Sequence, residues 1–300
     1  MPTFDTPQPI SVSIDLPNGE VRINASDRAD TVVDARRGDG EAGAAAVQIG
    51  YAGGRLVVKA AQRDPAQSRH AGAGAGARRQ SWALEGLGRL LGDWGESVHV
   101  TIELPSGSHV QGVSGEFRCT GRLGDCRLRT DHGDLRLDQA GAIHLTSDSG
   151  EIAVERATGR AEVSSASGEI RIQELTGSAS IRNDDGECYL GEVTGDLRLI
   201  GTNGDMQVER AHGGVEAKNV HGSVRIGEVA RGEVTLTSTT GDLEVGIRHG
   251  TAAFLDVSTA DGRLLNSLDA LDAREGPAGF DEAVEVRARS HHGDITIRRA

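Results

Sequence analysis

Acidic residues recur through the middle of the sequence at a spacing that would place their carboxylates in one column. Six of them directly follow alternate glycines of a regular series, and they are Glu116, Asp134, Glu151, Glu169, Glu187 and Asp205. Carboxylate oxygens are ligands for calcium, and calcium-binding rolls are built from repeats of this length. Those rolls need a GGxGxDxUx turn, whereas the array contains a single glycine pair, Gly213-Gly214. The pattern therefore favours a solvated acidic column, offset by the outward arginines Arg118, Arg136, Arg171 and Arg225.

Two further chemistries are tested by residue type and spacing. Histidines precede several turn glycines, at His132, His212, His221, His249 and His292. A metal site needs three or four ligands that converge, and these histidines are spread over distant repeats, so polar turn residues are the better interpretation. A polysaccharide-cleaving enzyme would gather carboxylates and an arginine in one place, but here they recur evenly. No nucleophile elbow, P-loop, HExxH or Rossmann fingerprint occurs, so the sequence predicts no catalytic, cofactor-binding or metal-binding residues.

The elements that carry these residues are set by a glycine that returns about every nine residues. The series is Gly115, Gly124, Gly133, Gly141, Gly150, Gly159, Gly168, Gly177, Gly186, Gly195, Gly204, Gly213, Gly222, Gly232, Gly241 and Gly250. Two and four residues after most of these glycines the side chain is apolar, as in Ile170/Ile172 and Leu197/Leu199. Apolar residues spaced by two indicate a strand with one buried face, and glycine suits the tight turn between strands. The series therefore predicts short strands separated by turns.

The true period is 18 residues, because alternate units differ in kind. The glycines of the first half-units are followed almost always by an acid, and those of the second half-units much less often. An internal repeat of this regularity predicts an all-β protein, a parallel β-solenoid (β-helix) with about 18 residues per coil and about eight coils. A single coil cannot bury its apolar face, so we expect stacking of coils to create the core.

The two ends of the sequence depart from the repeat. We expect one continuous body with an N-terminal β cap at 1–110, a repeat array at 111–250 and a C-terminal β cap at 251–300. A hairpin is predicted within 47–60, and the Ala- and Gly-rich stretch at 61–96 is expected to be a mobile loop. Within that loop four side chains fall at helical spacing and predict a marginal amphipathic helix that packs on the solenoid or meets a partner or membrane surface: Leu87, Leu90, Leu91 and Trp94.

Composition excludes some classes of partner and indicates a compartment. The formal net charge is −13, which disfavours binding to nucleic acid or to an anionic membrane. No secretory signal or membrane-spanning apolar stretch is evident. The three cysteines fall at inward positions, which fits free thiols in a reducing cytoplasm: Cys119, Cys126 and Cys188. We expect a cytoplasmic monomer or weak homo-oligomer with an unknown protein partner and no cofactor.

Several segments resemble a large bacterial family of β-strand-repeat proteins. They include SIDLPNGEVRI, VTIELP, the repeated units SGEIAV, SGEIRI, TGDLRL and TGDLEV, and the closing segments GTAAFLDVSTADGRLLNSL and VEVRARSHHGDITIRR. The family is a domain of unknown function labelled "putative adhesin" and related to the toastrack domains of cell-envelope stress proteins. The resemblance covers nearly the whole chain. It implies a parallel β-solenoid and supplies no established catalytic residues.

The functional hypothesis that follows is a non-enzymatic scaffold or protein-binding module, which the resemblance links to cell-envelope stress. The alternatives are a polysaccharide-acting β-helix hydrolase or lyase, and an adhesin or calcium-binding solenoid. The predicted interaction surface combines part of the acidic column, one arginine beside it and the apolar residues of the loop: Glu151, Glu169, Glu187, Asp205, Arg171, Leu87, Leu91 and Trp94.

Overall fold

The computed structural model describes residues 1–37, 47–60, 98–268 and 283–300, and all regular structure in these ranges is β. The expected loop at 61–96 and its short helix lie outside the described residues. The strands are β1 (Thr3–Asp5), β2 (Ser11–Ser26), β3 (Asp30–Arg37), β4 (Val47–Ala52), β5 (Arg55–Ala60), β6 (Val98–Pro105), β7 (His109–Arg122), β8 (Cys126–His132), β9 (Leu135–Ala140), β10 (Ile143–Ser149), β11 (Ile152–Ala157), β12 (Ala161–Ser167), β13 (Ile170–Leu175), β14 (Ala179–Asp185), β15 (Cys188–Val193), β16 (Leu197–Asn203), β17 (Met206–Ala211), β18 (Val215–His221), β19 (Val224–Val229), β20 (Gly232–Thr240), β21 (Leu243–Ile247), β22 (Ala252–Asp261), β23 (Leu264–Asn266), β24 (Ala283–His292) and β25 (Ile295–Arg299).

Each strand of the array pairs in parallel with the strand two places later. The even-numbered strands β8 to β20 form one ladder, called sheet one, and the odd-numbered strands β9 to β21 form a second, called sheet two. In sheet one Ala161 pairs with Ile143 on one side and with Ala179 on the other, a register of one coil per 18 residues. The predicted parallel β-solenoid is confirmed.

The core is a stack of aliphatic columns between the two sheets. Ile152, Ile170 and Cys188 occupy the same position in successive coils and are 0%, 0% and 3% exposed. Burying each inward Val, Leu or Ile contributes roughly 1.5–3 kcal/mol before the entropy of ordering is subtracted. The cysteines are also buried and unpaired, at Cys119, Cys126 and Cys188, as their inward positions predict.

Strands of sheet two bend near their ends. In β13 the side chains of Ile170, Ile172 and Leu175 are buried, while Gln173 and Glu174 lie side by side on the outside. Two consecutive outward residues break the alternation of a flat strand, and the paired register skips one residue at this point in successive coils. The bend turns the chain towards the second glycine turn and leaves a groove along its outer side.

The order of strands at both ends differs from their order in the chain. The last coil, β24 and β25, lies between the coil of β20 and β21 and the coil of β22 and β23. At the other end β2 lies between β7 and the pair β5 and β6, and β4 and β3 then pair in antiparallel fashion with β5 and β6. Gly293 occupies the same turn position as the glycines of the repeat array, because the segment that contains it is an interior coil.

A column of small polar residues lies inside sheet one, next to the first turn. Its buried members are Thr130, Ser147, Ser165, Asn183, Asn219, Ser238 and Ser290. Several of them donate hydrogen bonds to turn carbonyls, for example Asn183 Nδ2 to the oxygens of Gly168 and Gly186 at 3.0 Å each. These bonds satisfy carbonyl groups that the turn would otherwise leave without a partner. The pattern of apolar residues in the sequence does not predict this column.

Candidate functional site

The predicted acidic residues stand on the first turn of consecutive coils. Backbone hydrogen bonds of 2.9 Å run from Ile152 N to Glu169 O, from Ile170 N to Glu187 O and from Cys188 N to Asp205 O. The backbones that carry these carboxylates are therefore neighbouring rungs of one ladder, about 4.8 Å apart. The structure places Glu151, Glu169, Glu187 and Asp205 in this one column, and Arg171 on the strand that follows Glu169. We call this set the first-turn column.

Aspartate and glutamate play different parts in the first-turn column. Asp134 Oδ1 accepts a hydrogen bond from Glu151 N at 3.0 Å, and Asp205 Oδ1 accepts one from Ser223 N at 2.8 Å. The short aspartate side chain thus caps a turn amide of the next coil. Asp242 repeats the contact with Asp294 N at 2.8 Å. Asp205 has a structural role that its sequence position does not reveal.

Two glutamates of the column, Glu151 and Glu169, pair with arginines on the outer face. Arg136 Nη2 lies 2.9 Å from Glu151 Oε2, and this hydrogen bond raises the pKa of Arg136. Arg171 pairs with Glu169, and its Cζ lies 5.9 Å from the centre of the Tyr189 ring. Exposed ion pairs of this kind contribute about 1 kcal/mol or less. They align side chains for contact more than they hold the fold together.

A groove of about 530 Å³ follows the bend of sheet two. It is lined by acids and two arginines, together with smaller residues: Asp138, Gln139, Glu155, Arg156, Gln173, Glu174, Gly191, Glu192, Glu209 and Arg210. Arg156 Nη2 lies 2.6 Å from Glu174 Oε2, and the hydroxyl of Tyr189 donates to Glu209 Oε1 at 2.6 Å. The charges are thus largely paired from one coil to the next.

One carboxylate of this groove, Glu192, is unsuited to act as the acid of glycoside hydrolysis. His212 Nε2 lies 2.8 Å from Glu192 Oε1, and this hydrogen bond, with help from Arg210, lowers the pKa of Glu192. A catalytic general acid requires a carboxyl group whose pKa is raised instead. Glu192 is therefore suited to an ion pair and not to donating a proton.

The described residues contain no group of three or more His, Cys, Asp or Glu side chains that could hold a metal ion. Within the same residues no helix is long and apolar enough to span a membrane. Burial raises the pKa of the Cys126 and Cys188 thiols to about 12 and also raises that of Cys119. Such thiols remain protonated at neutral pH, which makes them poor nucleophiles and poor metal ligands.

The architecture defines a parallel β-solenoid protein with 18-residue coils. Residues 10–298 match the Toastrack DUF4097 family, and the chain belongs to that family. No curated protein matches the sequence.

Two solved structures are similar over all of this chain. One is a "putative cell adhesion protein" from Clostridium sporogenes, with 9% identity, 98% of that chain covered and a TM-score of 0.20. The other is a "putative adhesin" from Bacteroides fragilis, with 9% identity, 95% coverage and a TM-score of 0.29. Similarities this distant support no inference about function.

Proposed function

We propose that the protein is a non-enzymatic β-solenoid scaffold or protein-binding module. The observation that supports this proposal is the first-turn column, an unbroken row of carboxylates on hydrogen-bonded rungs at a single spacing. Because the backbone beneath the row is fixed by the ladder, little ordering entropy is lost when a partner binds. A rigid, repetitive and acidic edge suits a partner surface that carries basic residues at a similar spacing.

The side chains of this edge are accessible. The side chain of Arg171 is 48% exposed and that of its partner Glu169 is 36% exposed. Glu187 forms no ion pair with any of the described residues. These exposed charges allow a partner to be steered electrostatically and then held by pairing with individual glutamates.

The test of this proposal is affinity capture with charge-neutralised variants. Glu151, Glu169 and Glu187 are replaced together by glutamine, and the matched control replaces three acids on the outer face of sheet one: Asp131→Asn, Asp148→Asn and Asp184→Asn. Both variants remove the same charge, so nonspecific electrostatics change equally. We expect a protein captured from the host lysate by the wild type to be lost with the first variant and retained with the control. Equal retention by both variants would refute the first-turn column as the contact surface.

A hydrolase or lyase acting on an extended polymer is the second candidate. The groove at the bend of sheet two favours it, because this groove brings carboxylates and arginines together along the solenoid. The test measures new reducing ends and unsaturated products from acidic and neutral polysaccharides. Activity that disappears in Glu174→Gln and persists in Glu162→Gln would establish the enzyme and displace the scaffold proposal.

We also propose a cytoplasmic location and a role connected with cell-envelope stress. The three buried and unpaired cysteines support the location, since reduced thiols persist in a reducing compartment. Family membership is the support for the stress connection. Fractionation of host cells tests the location. The sensitivity of a deletion strain to envelope-damaging treatment tests the stress connection. A protein found outside the cytoplasm, or a deletion strain with unaltered sensitivity, would contradict the respective part.

A further inference from the structure

Among the described residues several arginines lack the carboxylate partner that is usual on this protein, and two of them, Arg55 and Arg127, line the same groove. The sequence has 45 acids and 32 basic residues, so most arginines on the outer faces are paired, as Arg136 and Arg156 are. Arg55 and Arg127 form no ion pair with the described residues. An unpaired guanidinium on so acidic a protein is exposed to water with all of its donors available.

Arg55 and Arg127 line one groove on the outer face of sheet one. The groove has a volume of about 470 Å³ and includes Ser11, Gln111 and the turn of the β4–β5 hairpin. A second depression of about 360 Å³ shares Gln111 and Arg127 with the first and adds Ser13 and Arg129. We call the combined feature the Arg127 groove, defined by Ser11, Ser13, Arg55, Gln111, Arg127 and Arg129.

The carboxylates nearest to Arg127 are engaged elsewhere. Asp125 Oδ1 accepts a hydrogen bond from Ala142 N at 3.0 Å, which ties this carboxylate to the turn of the next coil. Asp131 lies 3.4 Å from Arg129 Nε, so it serves the neighbouring arginine. Asp125 also lines the groove, but it forms no ion pair with Arg127, whose guanidinium faces the groove without a carboxylate partner among the described residues. With Arg55 and Arg129 the described lining has three arginines against this one carboxylate.

The lining indicates the chemistry of the occupant. A guanidinium group binds a carboxylate through two parallel hydrogen bonds, and the hydroxyls of Ser11 and Ser13 and the amide of Gln111 can bond to a peptide backbone. Apart from histidine, the described lining residues include no aromatic side chain on which a sugar ring or a nucleobase could stack. The net charge of −13 also disfavours nucleic acid.

The dimensions of the groove fit a short extended peptide. It crosses the neighbouring strands β5, β2, β7, β8 and β10, whose residues line it in that order. Four strand spacings of about 4.8 Å give a length of about 19 Å, which an extended peptide covers with about six residues.

We propose that the Arg127 groove binds an acidic peptide segment of a partner protein, with Arg55 and Arg127 each pairing with a carboxylate. This site lies on the outer face of sheet one and shares no residue with the first-turn column, which lies on the turns between the two sheets. A failure of one surface therefore leaves the other proposal untouched.

The experiment uses the full chain and fluorescein-labelled hexaglutamate, with hexaglutamine and hexalysine as comparison peptides. Fluorescence anisotropy at low ionic strength measures binding to the wild type, to the double variant Arg55→Gln/Arg127→Gln and to the control Arg263→Gln. Arg263 is exposed, forms no ion pair with the described residues and lies on the outermost coil at the opposite end. Circular dichroism verifies that all three proteins have the same fold.

We expect hexaglutamate alone to bind, with an affinity that falls about tenfold in the double variant and is unchanged in Arg263→Gln. Added salt should weaken this binding, because the pairs are exposed. No binding by the wild type, or equal binding by the double variant, would overturn the proposal. It would also be overturned if inorganic phosphate or a uronic-acid oligosaccharide competed as well as unlabelled hexaglutamate. Wild-type self-association that the double variant abolishes would replace the peptide with a second copy of the chain.

Discussion

The glycines of the first turn support a graded prediction about stability. Gly168 adopts φ = +131°, a region that other residues reach only with strain. A Cβ atom at this position would lie 2.9 Å from the carbonyl carbon of Gly150 in the preceding coil, and still closer to the oxygen. Replacement by alanine must therefore change the backbone angles, the distance between coils, or both.

The magnitude follows from two contributions. The strained backbone costs of order 1–3 kcal/mol. Separating the turns also weakens two backbone hydrogen bonds, from Gly150 N to Ser167 O at 3.2 Å and from Gly168 N to Asp185 O at 2.9 Å. Each is worth about 1 kcal/mol. We expect Gly168→Ala to lower the free energy of unfolding by about 3–5 kcal/mol.

Two matched substitutions separate these contributions. Gly250 has φ = +83° but nothing within 4 Å of an added Cβ, so Gly250→Ala should lose only about 1–2 kcal/mol. Gly50 has neither a positive φ nor a neighbour within 4 Å, and Gly50→Ala should be neutral or stabilise by about 0.5–1 kcal/mol.

Urea denaturation followed by circular dichroism measures the three variants. Hydrogen exchange shows whether the loss in Gly168→Ala is centred on the coils next to residue 168, as expected for a protein whose repeats contact only their neighbours. Equal stability of Gly168→Ala and Gly250→Ala would refute a stabilising contact between adjacent turns, because only Gly168 has a neighbouring turn within reach of an added Cβ.

Three further predictions concern polar and titratable groups. Asn183→Ala should lower the free energy of unfolding by about 1–3 kcal/mol, because two turn carbonyls lose their donor. Ser165→Ala should be neutral, since the Ser165 hydroxyl has no hydrogen-bond partner among the described residues. Equal effects of the two substitutions in urea denaturation would contradict this. Hydrogen bonding to His212 lowers the pKa of Glu192 from 4.5, so this carboxylate stabilises the fold above pH 4.5 and loses that contribution as pH falls through its folded pKa. His212→Ala should raise the Glu192 pKa measured by NMR, and an unchanged value would exclude the pairing. The three buried cysteines should react with a thiol reagent only after unfolding, and rapid reaction of the native protein would be inconsistent with their burial.

The aliphatic core could be predicted residue by residue from the sequence. Ile170 and Ile172 alternate with polar residues after a glycine, and any strand with one buried face must turn them to the same side. The 18-residue period then aligns Ile152, Ile170 and Cys188 without further information. These inferences succeed because they depend only on local alternation and on a repeat length that is visible along the chain.

The inward polar column could not be predicted, since a polar residue at the third inward position reads as the end of the buried face. Asn183 is buried because turn carbonyls of its own and the preceding coil lie within hydrogen-bond distance. Its neighbour in sequence, Asp184, is as polar but lies outside and pairs with Arg182 at 3.0 Å. Alternation from Ile181 gives Asn183 the inward phase and Asp184 the outward one. Whether the strand stays regular as far as Asn183 depends on the path of the turn, which hydropathy does not describe.

Strand order at the ends is hidden for a different reason. Every rung presents the same ladder of donors and acceptors, so local sequence does not state which rung a given strand joins. The sequence of β24 alternates as cleanly as an interior strand, and the structure places it inside. By contrast β22 is outermost, and its aliphatics after Ala252 are at most partly buried. Regular alternation of apolar and polar residues was therefore the only signal in the sequence that β24 has a neighbouring strand on both sides.

The candidate sites depend on partnerships between coils, which explains why the sequence gives only half of them. The first-turn column appears at once, because its members share one position in the repeat. The Arg127 groove does not, because an arginine is available for binding only where the nearby carboxylates bond to other groups. Asp125, for example, accepts a hydrogen bond from Ala142 N of the next coil. Since the first-turn column lies on the turns and the Arg127 groove on the outer face of sheet one, with no residue in common, their effects should be additive. In a variant that combines Glu169→Gln with Arg127→Gln, the affinity for the captured partner protein should fall as much as in Glu169→Gln alone. The affinity for hexaglutamate should fall as much as in Arg127→Gln alone. Coupling between the two substitutions in a double-mutant cycle would mean that one ligand contacts both surfaces.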